Sequence, residues 1–220
     1  MEIQDYNTTR TKHGASSGGG YPRAELEDMM QRWLAANQRA EASGNWTQEL
    51  PSFYTEDAVY QWNMGSNHEF VAHGRDDIRD IALGWFMKGF ENWTYPYHDI
   101  MIDDQRGSVI CFYKHQLSVT CAVRQDGSPY QVDGLHGTWF EYAGNYQWRW
   151  QRDFFDVGNV QALVFELAGR NLLRQDCKTK MRDHAWGTPM PGVVLLRPEP
   201  SVLTKVWNFL AMMRVILLGG

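Results

Sequence analysis

From Asn92 onward the three-to-four spacing of apolar residues stops, and strand-like runs succeed one another with only short turns between them. The runs cover about 93–102, 108–123, 130–142 and 147–156, and the turns are Gln105-Arg106-Gly107, Asp126-Gly127 and Ala143-Gly144-Asn145. Links this short join antiparallel neighbours, because a parallel return needs a long crossover. Ahead of Asn92 the pattern is mostly helical. Residues 24–42 repeat Leu26, Met29, Met30, Trp33, Leu34 and Asn37 at helical spacing, and Gly44 stands where a helix stops. A short helix over 47–54, a strand over 57–63, a loop over 64–74 and a helix over 76–90 follow, and a last helix covers about 160–173. Helices beside a run of strands predict an α+β domain. A curved antiparallel sheet with N-terminal helices against its concave side gives a cone-shaped α+β barrel enclosing a hydrophobic pocket. The predicted organisation is a flexible extension over 1–22, the domain over 23–175, and a C-terminal extension with an apolar helix over 176–220.

Within this frame the segment Trp150-Gln151-Arg152-Asp153-Phe154-Phe155-Asp156 carries the chemistry. On a regular strand Asp153 and Phe155 share one face, and Arg152, Phe154 and Asp156 the other. A carboxylate turned into an aromatic hollow costs free energy, so it is paired, protonated or functional. Ten Trp, ten Tyr and ten Phe suit a protein that encloses an apolar ligand. The net charge of −5, with basic residues scattered, gives no reason to expect nucleic acid. Three cysteines, Cys111, Cys121 and Cys177, fit neither a disulfide framework nor a zinc site and suit a reducing cytoplasm. Cys111 and Cys121 lie in strand-like segments, where inert buried thiols are expected. The apolar stretch from Val202 to Leu218 is broken by Lys205, Asn208 and Arg214 and is short for a bilayer span. It predicts a helix packed on the domain or on a second subunit, with membrane-surface contact as the alternative.

Two segments carry a family resemblance. Phe53-Tyr54-Thr55-Glu56-Asp57-Ala58-Val59-Tyr60-Gln61-Trp62-Asn63-Met64, followed by Gly74-Arg75-Asp76, and Arg152-Asp153-Phe154-Phe155-Asp156 resemble the nuclear transport factor 2-like superfamily in its SnoaL-like and limonene-epoxide-hydrolase-like branch. The resemblance covers roughly residues 24–173 and bears on fold more than on reaction. It implies that Asp153 is a general base and that Tyr60 and Asn63 hold an attacking water. The sequence departs from the epoxide-hydrolase pattern on the middle strand, where Lys114 and Gln116 stand at the positions of an arginine and an aspartate. It also places Trp62 between Tyr60 and Asn63, so these two face opposite sides unless the strand bulges.

The resulting expectation is a cofactor-independent acid–base enzyme, with no metal, acting on a hydrophobic oxygenated small molecule of terpenoid, polyketide or steroid-like kind. Asp153 takes the proton, Lys114 with Tyr60 stabilises the oxyanion, and His98 or His136 returns the proton. Trp33, Trp62, Asn63, Phe112, Gln116, Asp133 and Phe155 are the candidate substrate-binding residues. His136 and Asp133 face opposite sides of one strand, so only one of them reaches the hollow. Trp148 and Trp150 are expected on the outer sheet face with Arg152, where exposed aromatics predict a homodimer through the sheet. The competing reading is a non-catalytic module of the same fold that binds a small ligand or a protein.

Overall fold

The structure, a computed structural model, describes residues 20–65 and 67–218. The flexible extension expected over 1–22 therefore falls largely outside the described residues. Its last part is anchored: the Tyr21 N–H donates to the Asp104 carbonyl at 2.9 Å, and its ring meets Tyr142 edge-on at 4.9 Å.

The first helix, α1, runs Arg23–Ser43 and buries Leu26, Met29, Met30, Trp33, Ala36, Asn37 and Ala40 along one side. Gly44 ends it at φ 67°, in the left-handed region that a side chain disfavours. A single turn, α2 (Trp46–Glu49), and a 3₁₀ turn (Pro51–Phe53) lead into β1 (Tyr54–Asn63). The segment expected to be a loop contains a strand instead, β2 (His68–His73), paired antiparallel with β1. Its alternation is masked because the partly covered positions include His68 and Glu69. The following helix begins as α3 (Gly74–Asp77) and continues over Ile78–Phe86 with π-type hydrogen bonding, which widens it against the cavity described below.

The strands are β3 (Trp93–Thr94), β4 (Tyr97–Asp103), β5 (Ser108–Tyr113), β6 (Gln116–Leu117), β7 (His136–Gly144) and β8 (Gln147–Phe155). The run predicted over 108–123 thus breaks after Tyr113, and the strand predicted from residue 130 starts at His136. Next come α4 (Val157–Gly169), α5 (Gln175–Ala185), β9 (Val193–Leu195) and α6 (Val202–Leu218), of which α5 and β9 were not anticipated. The main sheet has the order β4-β5-β7-β8-β1-β2-β9, and its pairs are antiparallel except β1 with β8. β3 and β6 form a separate small ribbon.

One irregularity in β8 redirects its aromatics. Trp150 pairs with Glu141 and Trp148 with Tyr142, so Arg149 is an extra residue in the ladder. Trp148 consequently points inward, stacked on Phe140 at 4.5 Å and fully buried, which corrects its expected outer placement. Trp150 keeps its outer-face position against Trp139 but is 1 % exposed, so neither tryptophan supplies the exposed aromatic surface expected for a homodimer through the sheet. The cysteine expectation also needs one correction. Cys111 is buried and its thiol is pushed up to about 12 by desolvation, whereas Cys121 lies exposed in the turns after β6.

Two groups of buried apolar residues hold the domain. The larger joins α1, β1, β2 and the π-type helix to the inner sheet face, and the smaller joins α4 to Trp93, Leu117, Tyr130 and Val132. A cavity lies in the gap between them.

Candidate active site

A cavity of about 230 Å³ opens between the two apolar groups. The inner positions of four strands supply its central polar cluster: Tyr60 on β1, Tyr113 on β5, Thr138 on β7, and Gln151 with Asp153 on β8. Strand alternation explains the set, since Gln151 and Asp153 are two apart and Thr138 is the cross-strand partner of Asp153. Trp33 from α1, Trp62 from β1, Phe86 from the π-type helix, and Val160 and Val164 from α4 give the apolar walls.

Asp153 is 9 % exposed and belongs to this wall. The Tyr60 hydroxyl donates to one of its carboxylate oxygens at 2.6 Å, and the Gln151 amide donates to the other at 2.9 Å. Thr138 donates to that second oxygen as well, and the nearby Tyr113 hydroxyl also favours the charged carboxylate. Tyr54 in turn donates to the Gln151 side-chain carbonyl, which fixes the amide with its N–H toward Asp153. Burial raises the Asp153 pKa above the ordinary carboxylate value, and the hydrogen bonds from Thr138, Tyr60 and Gln151, with the Tyr113 hydroxyl, offset part of that rise. Every one of these donors is neutral. Desolvation also drives the Tyr54, Tyr60, Tyr97 and Tyr113 phenols well above 10, so they remain protonated donors.

A second polar group stands apart from this cluster. His115 lines the cavity next to Tyr113, with the ring centroids 5.4 Å apart, and His136 packs against it at 4.5 Å. Burial and the neighbouring His136 bring His115 down to about 3. Burial, and secondarily the Lys114 ammonium, bring His136 down to about 4. Both rings are neutral at physiological pH. Neither ring nitrogen of His136 meets a hydrogen-bond partner among the described residues.

Of the residues singled out from sequence, Asp153, Tyr60, Trp62, Phe155 and Trp33 come together on the cavity. The others do not. Lys114 follows the inward-facing Tyr113 and therefore turns away, its ammonium donating to the carbonyls of Asp133 and Gly134 at 3.3 and 3.0 Å. It forms no pair with Asp153. His98 is the extra residue of a bulge between Tyr97 and Asp99 and is exposed. His136 has the inward orientation expected for it but lies behind His115 and Phe155, stacked on the latter. Asn63 faces the outer side, because β1 pairs without a bulge from Val59 to Asn63, and its amide donates to the Phe155 carbonyl at 3.3 Å. Phe112 is on the outer face against Phe154. Gln116 belongs to the β3–β6 ribbon, and Asp133 is exposed.

The sequence reading missed Tyr113, His115, Thr138 and Gln151. Alternation outward from Asp153 finds Gln151, and a one-residue shift on the middle strand exchanges Lys114 and Gln116 for Tyr113 and His115. Among the described residues no three His, Cys, Asp or Glu side chains gather as a metal ion requires.

Among curated proteins none matches the chain. Similar solved structures include a SnoaL-like polyketide cyclase from Jannaschia sp., at 14 % identity, covering 66 % of this chain and 96 % of that one, with a TM-score of 0.48. An NTF2-like protein from Anabaena variabilis shares 15 % identity over 63 % of this chain and 96 % of its own, with a TM-score of 0.46. An LEH-like epoxide hydrolase from M. tuberculosis shares 18 % identity over 65 % of this chain and 91 % of its own, with a TM-score of 0.44. The family profile of the SnoaL-like domain matches residues 28–145, which include Tyr60, Tyr113, His115 and Thr138 and end before Gln151 and Asp153. Since that match spans more than half of the 220 residues, the chain belongs to the SnoaL-like domain family.

Proposed function

We propose that the protein is an acid–base enzyme that takes a compact, hydrophobic, oxygenated small molecule into the cavity and uses Asp153 as its proton carrier. The observation that carries this reading is a buried carboxylate on a ligand-sized cavity, surrounded by neutral donors and raised in pKa by desolvation. A carboxylate stripped of water is a stronger base than the same group in solvent, and tuning toward the working pH is what general acid–base catalysis requires. The cavity is smaller than the roughly 300–1,000 Å³ common for drug-sized ligands, which favours a substrate of one or two rings over a steroid-sized one.

In the proposed step Asp153 removes a proton from the carbon beside a carbonyl, and the electron pair of that C–H bond moves onto the carbonyl oxygen. Tyr60, released from Asp153 as the substrate enters, or Tyr113 beside it on the cavity wall, donates its phenol hydrogen bond to the resulting enolate oxygen. The proton then returns either to another carbon of the same molecule, which is an isomerisation, or to an alkoxide formed when the enolate attacks a second carbonyl, which is a cyclisation. With His115 and His136 neutral and weakly basic, Asp153 both takes and returns the proton.

A second reading, a non-catalytic binding module, is favoured by the fact that protein donors already engage both carboxylate oxygens of Asp153. Native mass spectrometry of freshly purified protein for a co-purified molecule, followed by incubation of that molecule with the protein in D₂O, separates the two. Deuterium entering a carbon position with the wild type and not with Asp153→Asn supports the enzyme. Tight binding by both proteins with no exchange by either supports the module.

A further inference from the structure

The last helix, α6, is the part of the chain where composition and exposure disagree most. Its large side chains face solvent: Leu203 is 83 % exposed, Trp207 73 %, Leu217 70 % and Ile216 66 %. At 100° per residue, Thr204, Lys205 and Asn208 form a short polar strip on the first half only. Beyond Asn208 the helix is apolar on nearly all sides, with Arg214 as its one interruption. A helix that seats in a protein groove buries one stripe and keeps the rest polar, whereas apolar character all round belongs to lipid or to a large interior. No helix among the described residues is long and apolar enough to cross a membrane. The length of α6, about 26 Å at 1.5 Å per residue, is below the hydrocarbon thickness of a bilayer.

Charge identifies the kind of surface. The chain carries −5 overall, yet Val202–Leu218 contains Lys205 and Arg214 and no acidic residue. Lys205 is paired with Glu199 at 2.7 Å across an exposed contact, a type of pair worth little in water. The helix is set off from the domain by Arg197-Pro198-Glu199-Pro200, a proline-stiffened tether. Leu195 and Leu196, just before that tether, are also exposed.

We propose that α6 lies in the surface of an anionic lipid bilayer and holds the domain there. The inference is independent of the chemistry proposed for the cavity. The test is co-flotation of the full-length protein with vesicles of phosphatidylcholine alone and of phosphatidylcholine with about 30 % phosphatidylserine. Recovery with the anionic vesicles is expected, at least tenfold stronger than with the neutral ones and weakened by added salt. Leu203→Glu combined with Leu210→Glu is expected to lower anionic-vesicle affinity at least tenfold without changing thermal unfolding, because both side chains are exposed in the folded domain. Lys205→Gln combined with Arg214→Gln is expected to bring the anionic affinity close to the neutral value. Absence of flotation on either composition overturns the proposal, as does equal affinity for the two. Sedimentation of the vesicle-free protein covers the remaining alternative: an oligomer that the leucine substitutions dissolve, with no vesicle binding, means that a second copy covers the helix and refutes lipid contact.

Discussion

Replacing Tyr60 by phenylalanine isolates one hydrogen bond to the central carboxylate. The 2.6 Å bond from Tyr60 stabilises the charged form of Asp153, and removing it raises a pKa that burial has already raised. A hydrogen bond to a charged group contributes about 1.5–3 kcal/mol. At 1.36 kcal/mol per pKa unit this corresponds to an upward shift of about 1–2 units. The sign carries over to stability. A carboxyl whose folded pKa lies above its unfolded value of about 3.9 stabilises the fold below that value, and the contribution is lost as pH rises through the folded pKa. Tyr60→Phe extends the upper end of that window, so the variant matches wild type near pH 3 and is weaker by about 1.5–3 kcal/mol above its new pKa. The direct assay is a ¹³C NMR titration of the aspartate side-chain carboxyl carbons, with Asp153→Asn identifying the resonance. Denaturant unfolding across the same pH range gives the linked quantity. An Asp153 pKa that stays put or falls in Tyr60→Phe refutes the reasoning, because it means that Thr138, Gln151 and Tyr113 carry the charge without Tyr60.

Other perturbations test separate parts of the account. Lys114→Met is expected to leave the Asp153 titration unchanged in the same NMR experiment, since the ammonium binds the carbonyls of Asp133 and Gly134 instead. His136→Phe is expected to flatten the acid limb of stability: a histidine lowered to about 4 stabilises the fold above its unfolded pKa of about 6.5 and loses that contribution as pH falls, by about 3 kcal/mol over the window. Urea unfolding at pH 7 and pH 4.5 measures it, and an acid limb as steep as wild type contradicts it. Gly137→Ala is expected to cost about 1–3 kcal/mol in urea unfolding. The added Cβ would lie 2.6 Å from the Cys111 carbonyl oxygen and 2.4 Å from the Phe154 ring, and the backbone atom cannot yield as a side chain does.

The sequence made the architecture legible because helical spacing before Asn92 and strand runs after it are local signals. Asp153 was legible for a related reason: a charge at an inward position of an aromatic strand is conspicuous. The rest of the polar cluster depends on strand register, which no local signal fixes. On the middle strand a one-residue error exchanges every inward side chain for an outward one, and it made Lys114 a partner that Asp153 does not have. The bulges at His98 and Arg149 act in the same way, turning Trp148 inward and leaving His98 in solvent. β2 was missed because half-covered polar residues blur its alternation.

The same desolvation acts in opposite directions on the two kinds of titratable group along this cavity. It raises Asp153 and lowers His115, because in each case it disfavours the charged form. In water a histidine holds its proton more tightly than an aspartate by about 2.6 units. Here His115 is brought to about 3, below the ordinary carboxylate value, while Asp153 is moved above it, so the order is inverted. A proton placed in the cavity therefore resides on Asp153, and His115 serves as a neutral hydrogen-bonding group. A reaction that divides proton removal and proton return between a carboxylate and an imidazolium is poorly matched to this arrangement. A reaction in which one carboxylate does both suits it, provided that the two substrate atoms lie on the same side of the ligand. Partial internal return of the abstracted proton, read as deuterium retained within the product in ordinary water, is the signature of that geometry, and complete washout to solvent would contradict it.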